Sequence, residues 1–159
     1  MKKDITYNSA FFKIFGLFLI LNGFSACDRN VNEELIEYVI TNESDYDIQV
    51  IPIASQNYRN PKSQFSINSN EMFSESRLWN ERFDNGQGFS TFLATDSVKI
   101  IFDNQRTIIY SKNAGNGLSN CDDLRNLLYT SPENGNNQVE FIFTNNDFDC
   151  AIICQDGCI

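Results

Sequence analysis

The sequence predicts an all-β fold, an antiparallel β-sandwich or half-open barrel of about seven strands with one or two short helices near the C-terminus. Three observations predict it. Short runs rich in β-branched and aromatic residues recur along the chain, as in Leu35–Asn42, Ser97–Phe102 and Gln138–Thr144. Clusters of Asn, Asp, Ser and Gly separate these runs. Helical periodicity is confined to a short stretch around Leu124, Leu127 and Leu128.

Taken in order, residues 28–33 are polar and aperiodic and predict a short tether. Leu35–Asn42 and Tyr46–Ala54 flank Glu43-Ser44-Asp45, which is turn chemistry, so the two runs predict a β-hairpin. Pro52 has no N–H for a ladder and places the second strand at an edge or a bulge there. Gln64–Ile67 and Glu71–Leu78 predict two further strands around Asn68-Ser69-Asn70, although neither face of the second is cleanly apolar. Trp79–Gly88 predicts a loop from its turn residues. Ser97–Phe102 and Thr107–Tyr110, separated by Asp103-Asn104-Gln105-Arg106, give the clearest hairpin. A Gly/Asn loop over 113–120 follows. Ser119-x-x-Asp122 resembles a capping box opening a short helix that carries the three leucines on one face, and its paired acids Asp122 and Asp123 suit a first turn. Gln138–Thr144 is the last long strand, and Thr144-Asn145-Asn146-Asp147 predicts a capped turn leading to Cys150 and Cys154.

The first 26 residues stand apart. Met1-Lys2-Lys3 and Lys13 make a basic start, Ile14–Leu21 is an uncharged apolar run, and Phe24-Ser25-Ala26-Cys27 closes it with small residues before a cysteine. A run of this length is a secretory signal, since a spanning helix needs about 20 apolar residues. Ser25-Ala26-Cys27 resembles the lipobox of bacterial lipoproteins, with Phe24 where that motif usually has an aliphatic residue. The resemblance implies cleavage before Cys27 and lipidation of its thiol, with residues 1–26 removed, 27–33 a lipidated tether and 34–159 a single β-rich domain of about 130 residues. Multiple acyl chains at about 0.8 kcal/mol per buried methylene make a permanent anchor.

Cleavage there leaves nine of the 12 basic and 20 of the 21 acidic residues, a net charge near −11. No cluster of Lys and Arg remains, which argues against nucleic acid and against adhesion to anionic lipid beyond the anchor. An acidic balance of this kind serves solubility.

Four cysteines remain: Cys121, Cys150, Cys154 and Cys158. An exported chain meets an oxidising compartment, so disulfides are expected. Of the three pairings, Cys121–Cys150 with Cys154–Cys158 is favoured. The competing arrangement is a four-thiolate zinc site, because Cys-x3-Cys-x3-Cys spacing falls among zinc-ligand spacings.

The chain has no histidine, which excludes histidine-dependent triads and imidazole acid–base catalysis. It contains no nucleophile elbow, Walker loop or dinucleotide fingerprint. A carboxylate-dependent hydrolase is the one enzyme class left. Trp79, the sole tryptophan, with Asp84 and Asn85 beside it, forms a candidate ligand site: an exposed indole would stack on a sugar ring, whereas a buried one would plug the core. Asp84-Asn85-Gly86 and Asp45-Tyr46-Asp47 supply hard oxygens for calcium, but neither matches an EF-hand loop, and turn chemistry accounts for both. No cofactor and no resident metal are expected.

Tyr38-Val39-Ile40-Thr41-Asn42 with Tyr46-Asp47-Ile48, Asp96–Asp103, and Phe141–Phe148 together resemble small hypothetical lipoproteins of Bacteroidota. The resemblance covers most of the chain after residue 27 and implies an outer-membrane lipid anchor, on the surface or the periplasmic face. In Bacteroidota, acidic residues after the lipidated cysteine mark surface export, and Asp28, Glu33 and Glu34 fit that pattern mildly. The resemblance assigns no catalytic residue and does not extend to the cysteine cluster. The function expected is a non-catalytic binding or accessory module for an envelope protein partner. Glycan binding through Trp79 is the alternative.

Overall fold

The structure, a computed structural model, describes residues 33–54, 56–58, 60–80, 86–112, 121, 125–132, 136–155 and 157–158. The leader, Cys27 and residues 28–32 of the expected tether lie outside these residues. Glu33, predicted as the end of the tether, instead opens the first strand. Residues 32–159 form one compact unit.

Among the described residues, eight strands build two sheets. They are β1 (Glu33–Asn42), β2 (Ile48–Ile53), β3 (Phe65–Ile67), β4 (Met72–Asn80), β5 (Ser97–Phe102), β6 (Arg106–Ser111), β7 (Gln138–Phe143) and β8 (Ile152–Ile153). One sheet runs β4-β1-β7 and the other β3-β2-β5-β6-β8. All pairings are antiparallel except β1 with β7. Two short helices, α1 (Phe89–Phe92) and α2 (Asn145–Cys150), and a 3-10 turn at Leu127–Tyr129 complete the described elements. The all-β, sandwich-like fold expected from the sequence is the fold observed.

Alternation decides which face of each strand is covered. In β1 Ile36, Tyr38 and Ile40 are buried, and in β7 Val139, Phe141 and Phe143. From the second sheet Ile48, Val50, Val98, Ile100, Phe102, Ile108 and Tyr110 join the same core. The aromatic rings meet mostly edge to face, as Phe102 does with Phe143 at 6.0 Å and with Phe148 at 5.9 Å. Burying each large side chain contributes about 1.5–3 kcal/mol relative to exposure.

The β5–β6 hairpin forms as predicted, with Ser97↔Ser111 to Phe102↔Arg106 in register. Asp103 and Asn104 adopt φ of 45° and 56°, and Gln105 N–H donates to Phe102 O at 2.8 Å. Asp and Asn tolerate that left-handed geometry better than other side chains. Pro52 is also where the sequence put it. β3 pairs with β2 only from Ile48 to Val50, so β2 is an edge at Pro52.

Other expectations fail. β1 and β2 do not form a hairpin: they lie in different sheets. The chain turns a corner between them at Asn42. Its fully buried amide donates to Tyr46 O at 2.8 Å, Asn68 O at 3.0 Å and Ile67 O at 3.2 Å, and its Oδ1 accepts from Ser44 Oγ at 2.6 Å and Ser44 N–H at 3.2 Å. The same node holds the β3–β4 corner, so these two strands also part into separate sheets. Glu43-Ser44-Asp45 is turn chemistry, as read, but it redirects the chain into the opposite sheet rather than back along its own. The helix expected across Leu124–Leu128 is interrupted, because Asn126 is extended (φ −104°, ψ 114°) and caps a single 3-10 turn through its side chain. Ser119, Asp122 and Leu124 lie outside the described residues. The capped turn after β7 forms as α2, with Thr144 and Asp147 making a reciprocal capping box.

Candidate functional site

The candidate ligand site at Trp79, Asp84 and Asn85 falls only in part on the described residues. Asp84 and Asn85 lie outside the described residues, as does Cys27. Trp79 belongs to β4 rather than to a loop, because the strand runs on through Asn80. Its ring is half-buried against the core, and its Nε1 is shielded from solvent without a hydrogen-bond partner among the described residues. The indole is thus largely a core plug with one margin open.

The four cysteines pair as favoured, Cys121–Cys150 and Cys154–Cys158. With the thiols joined in pairs, they do not form the four-thiolate zinc site. The second disulfide ties a tail that is pinned to the β5–β6 turn. Cys154 N–H donates to Gln105 O, Cys158 N–H to Asn104 Oδ1, and Lys99 Nζ to Cys158 O.

The acidic turn residues serve as braces. Asp45 and Asn145 exchange two hydrogen bonds of 2.9 Å. Asp47 Oδ1 accepts from Ser69 N–H at 2.9 Å, and Asp103 Oδ1 accepts from Asp47 N–H at 2.9 Å. Asp47 and Asp103 both line a polar concavity of about 640 Å³ at that end of the second sheet. The hydrogen bonds they accept join β2, β5 and the β3–β4 corner. No group of three or more acidic or cysteine residues converges on a common point among the described residues.

The feature that stands out is the outer face of the β4-β1-β7 sheet. Leu35 and Leu78 are directly opposite in register, and both are exposed, at 59% and 53%. Met72, at 66%, is exposed on the same face at the other end of β4, with Ser74 and Ser76 between. Between and beside them lies an ordered polar stripe. Glu37 accepts from Ser74 Oγ at 2.7 Å and from Gln138 Nε2 at 2.9 Å, and Glu140 accepts from Thr41 Oγ1 at 3.4 Å. Among the described residues of these strands the face carries Glu33, Glu37 and Glu140 and no cation.

Along β7 the face continues into a concavity of about 330 Å³ lined by Arg125, Thr130, Ser131, Asn136 and the outward side chains of β7. Arg125 is held there by three contacts. It donates to Ile142 O at 2.7 Å, pairs with buried Asp147 at 3.3 Å and lies 4.9 Å over the Phe141 ring. Apolar residues at this exposure on an ordered sheet face suit protein recognition better than small-molecule chemistry. No stretch of sequence marks this face, because Leu35 and Leu78 are 43 residues apart and only the register brings them together. Comparison with protein-family models, with curated proteins and with solved structures finds no match to the chain.

Proposed function

We propose that this protein is a lipid-anchored module of the cell envelope, held at the outer membrane through Cys27, that works by binding another protein rather than by catalysis. The observation that carries the binding role is the exposed Leu35–Leu78 cross-strand pair on a face already ordered by Glu37, Ser74 and Gln138. The two disulfides support an oxidising compartment, in keeping with the leader. A fitting partner brings apolar side chains to Leu35, Leu78 and Met72 and cations to Glu37 and Glu140.

Two experiments test this reading. Cys27→Ser in the full chain releases the protein from the membrane fraction if the anchor is lipid. Retention of that variant removes the anchor from the proposal. A photo-crosslinker at Leu78 in intact cells captures a protein neighbour, and Leu35→Glu abolishes the adduct. Ile53→Glu, which changes an exposed residue of the other sheet, leaves the adduct intact. Equal loss in both variants, or no adduct at Leu78, refutes the assignment to this face.

A further inference from the structure

Among the described residues β4 is the outer strand of its sheet, and this edge lacks the usual protections of an exposed strand. Its register with β1 advances one for one over nine pairs, from Glu33↔Asn80 to Thr41↔Met72, so no bulge interrupts it. It contains neither Pro nor Lys. The direction of its backbone groups follows from two hydrogen bonds of β1. Asn42 N–H donates to Glu71 O, so even residues of β1 and odd residues of β4 face each other. Glu37 N–H donates to Asn137 O, so odd residues of β1 serve β7. The N–H and C=O groups of Met72, Ser74, Ser76 and Leu78 therefore point out along the free edge of β4.

The one protective device present is charge. Glu75 and Arg77 lie on the inner side of β4 with Phe73 and Trp79. Each is held by a neighbour: Lys62 Nζ meets Glu75 at 2.6 Å, and Arg77 donates to Thr91 O at 2.6 Å. Inward charges on an edge deter an arbitrary incoming strand. They admit a strand whose own charges fall opposite with inverted sign.

We infer that β4 pairs antiparallel with β4 of a second copy about a two-fold axis at Ser76, joining two three-stranded sheets into one. In that register Ser76 faces its own counterpart as a hydrogen-bonded pair. Glu75 lies opposite the second copy's Arg77, and Arg77 opposite its Glu75. Phe73 lies opposite Trp79 in the same way, twice. All four of these contacts fall at non-hydrogen-bonded positions, where opposing side chains are closest. Adjacent registers lose this match. Centring on Glu75 sets Glu75 against Glu75, and centring on Arg77 sets Arg77 against Arg77. The self-complementary charge order of Phe73-Ser-Glu-Ser-Arg-Leu-Trp79 thus selects one isologous arrangement. The outer faces of the two copies then form one continuous surface, with Leu35 and Leu78 presented twice.

The test uses the full chain, extracted in detergent where it is membrane-held. Native mass spectrometry and sedimentation report a dimer. Glu75→Arg and Arg77→Glu each weaken it by about tenfold or more, and the double variant restores it. Ser76→Pro removes an edge-facing N–H without touching the β1 ladder and yields a monomer with unchanged circular dichroism. A nitroxide at Ser76→Cys reports a single short inter-copy distance. A monomeric chain overturns the inference, as does a dimer indifferent to both the charge swap and Ser76→Pro. Capture of a different protein by a crosslinker at Ser76, with no self-adduct, assigns the edge to that protein and also overturns it.

Discussion

Replacing Asn42 with alanine should be among the most damaging single changes in this domain. The side chain is fully buried and serves three carbonyls with two N–H groups, so one bond is shared. Tyr46 O retains Ser44 Oγ at 3.1 Å when the amide is gone. Asn68 O likewise retains Glu71 N–H at 3.1 Å. Ile67 O and Ser44 N–H lose the partner that Asn42 gave them. A buried polar group left without a partner costs about 1–3 kcal/mol, so two such groups cost about 2–5 kcal/mol. That is a large part of the 5–15 kcal/mol typical of a folded domain. Urea unfolding with disulfides intact measures it. With a slope of about 1–3 kcal/mol/M, the midpoint falls by about 2 M. Asn145→Ala is the control, because its two bonds to Asp45 are solvent-exposed. That substitution should cost no more than about 1 kcal/mol. Equal and small effects of the two substitutions would refute the view that Asn42 holds the corner.

Three further outcomes are expected. Cys121→Ser with Cys150→Ser removes a link spanning 29 residues and costs about 3–4 kcal/mol by chain entropy, against about 2 kcal/mol for the Cys154–Cys158 link of separation 4; thermal unfolding of the two double variants gives the order. Gly88→Ala places a Cβ 2.7 Å from Thr130 O, forces α1 away from the 3-10 turn and destabilises by about 1–3 kcal/mol, read as a lowered urea midpoint. The Tyr110 phenol is pushed well above its ordinary value of 10.0, first by burial and then by Asp147, with Arg125 opposing. The neutral phenol is the form the fold favours, so its contribution is complete below the unfolded-state value and is lost as pH rises beyond it. Tyr110→Phe should therefore leave stability at neutral pH within about 1 kcal/mol, since the hydroxyl has no partner among the described residues, and should flatten the fall in urea midpoint above about pH 10.

Local chemistry in this sequence was legible where local chemistry decides. Asp103-Asn104 between two apolar strands specifies a hairpin because the turn fits those residues and few others. Thr144-x-x-Asp147 specifies a capped turn for the same reason. The cysteine pairing was reachable because the C-terminal cluster leaves Cys121 one distant group to join. Sheet membership was not legible. Glu43-Ser44-Asp45 announces a change of direction, and nothing in it distinguishes a return from a corner; the buried node at Asn42 makes that distinction through carbonyls 25 and 26 residues away. β4 lacks a clean apolar face because it is an edge whose inner side carries Glu75 and Arg77, and that weak pattern hid its extension through Trp79. The apolar surface formed by Leu35 and Leu78 exists only in register, which no single stretch of sequence encodes.

The parallel pairing of β1 with β7 has a consequence for how the chain folds. β1 precedes the other described strands and is the middle strand of its sheet, with β4 on one side and β7 on the other. Glu37 aligns with Gln138 and Asn42 with Phe143, about a hundred residues further on. A chain emerging from its N-terminus thus carries one edge of β1 without its ladder partner until Phe143 has followed. Closing so long a loop before any contact repays it makes folding slow and late. The sheet is completed by the last third of the chain, and Cys150, seven residues after β7, is then in place to lock it to Cys121.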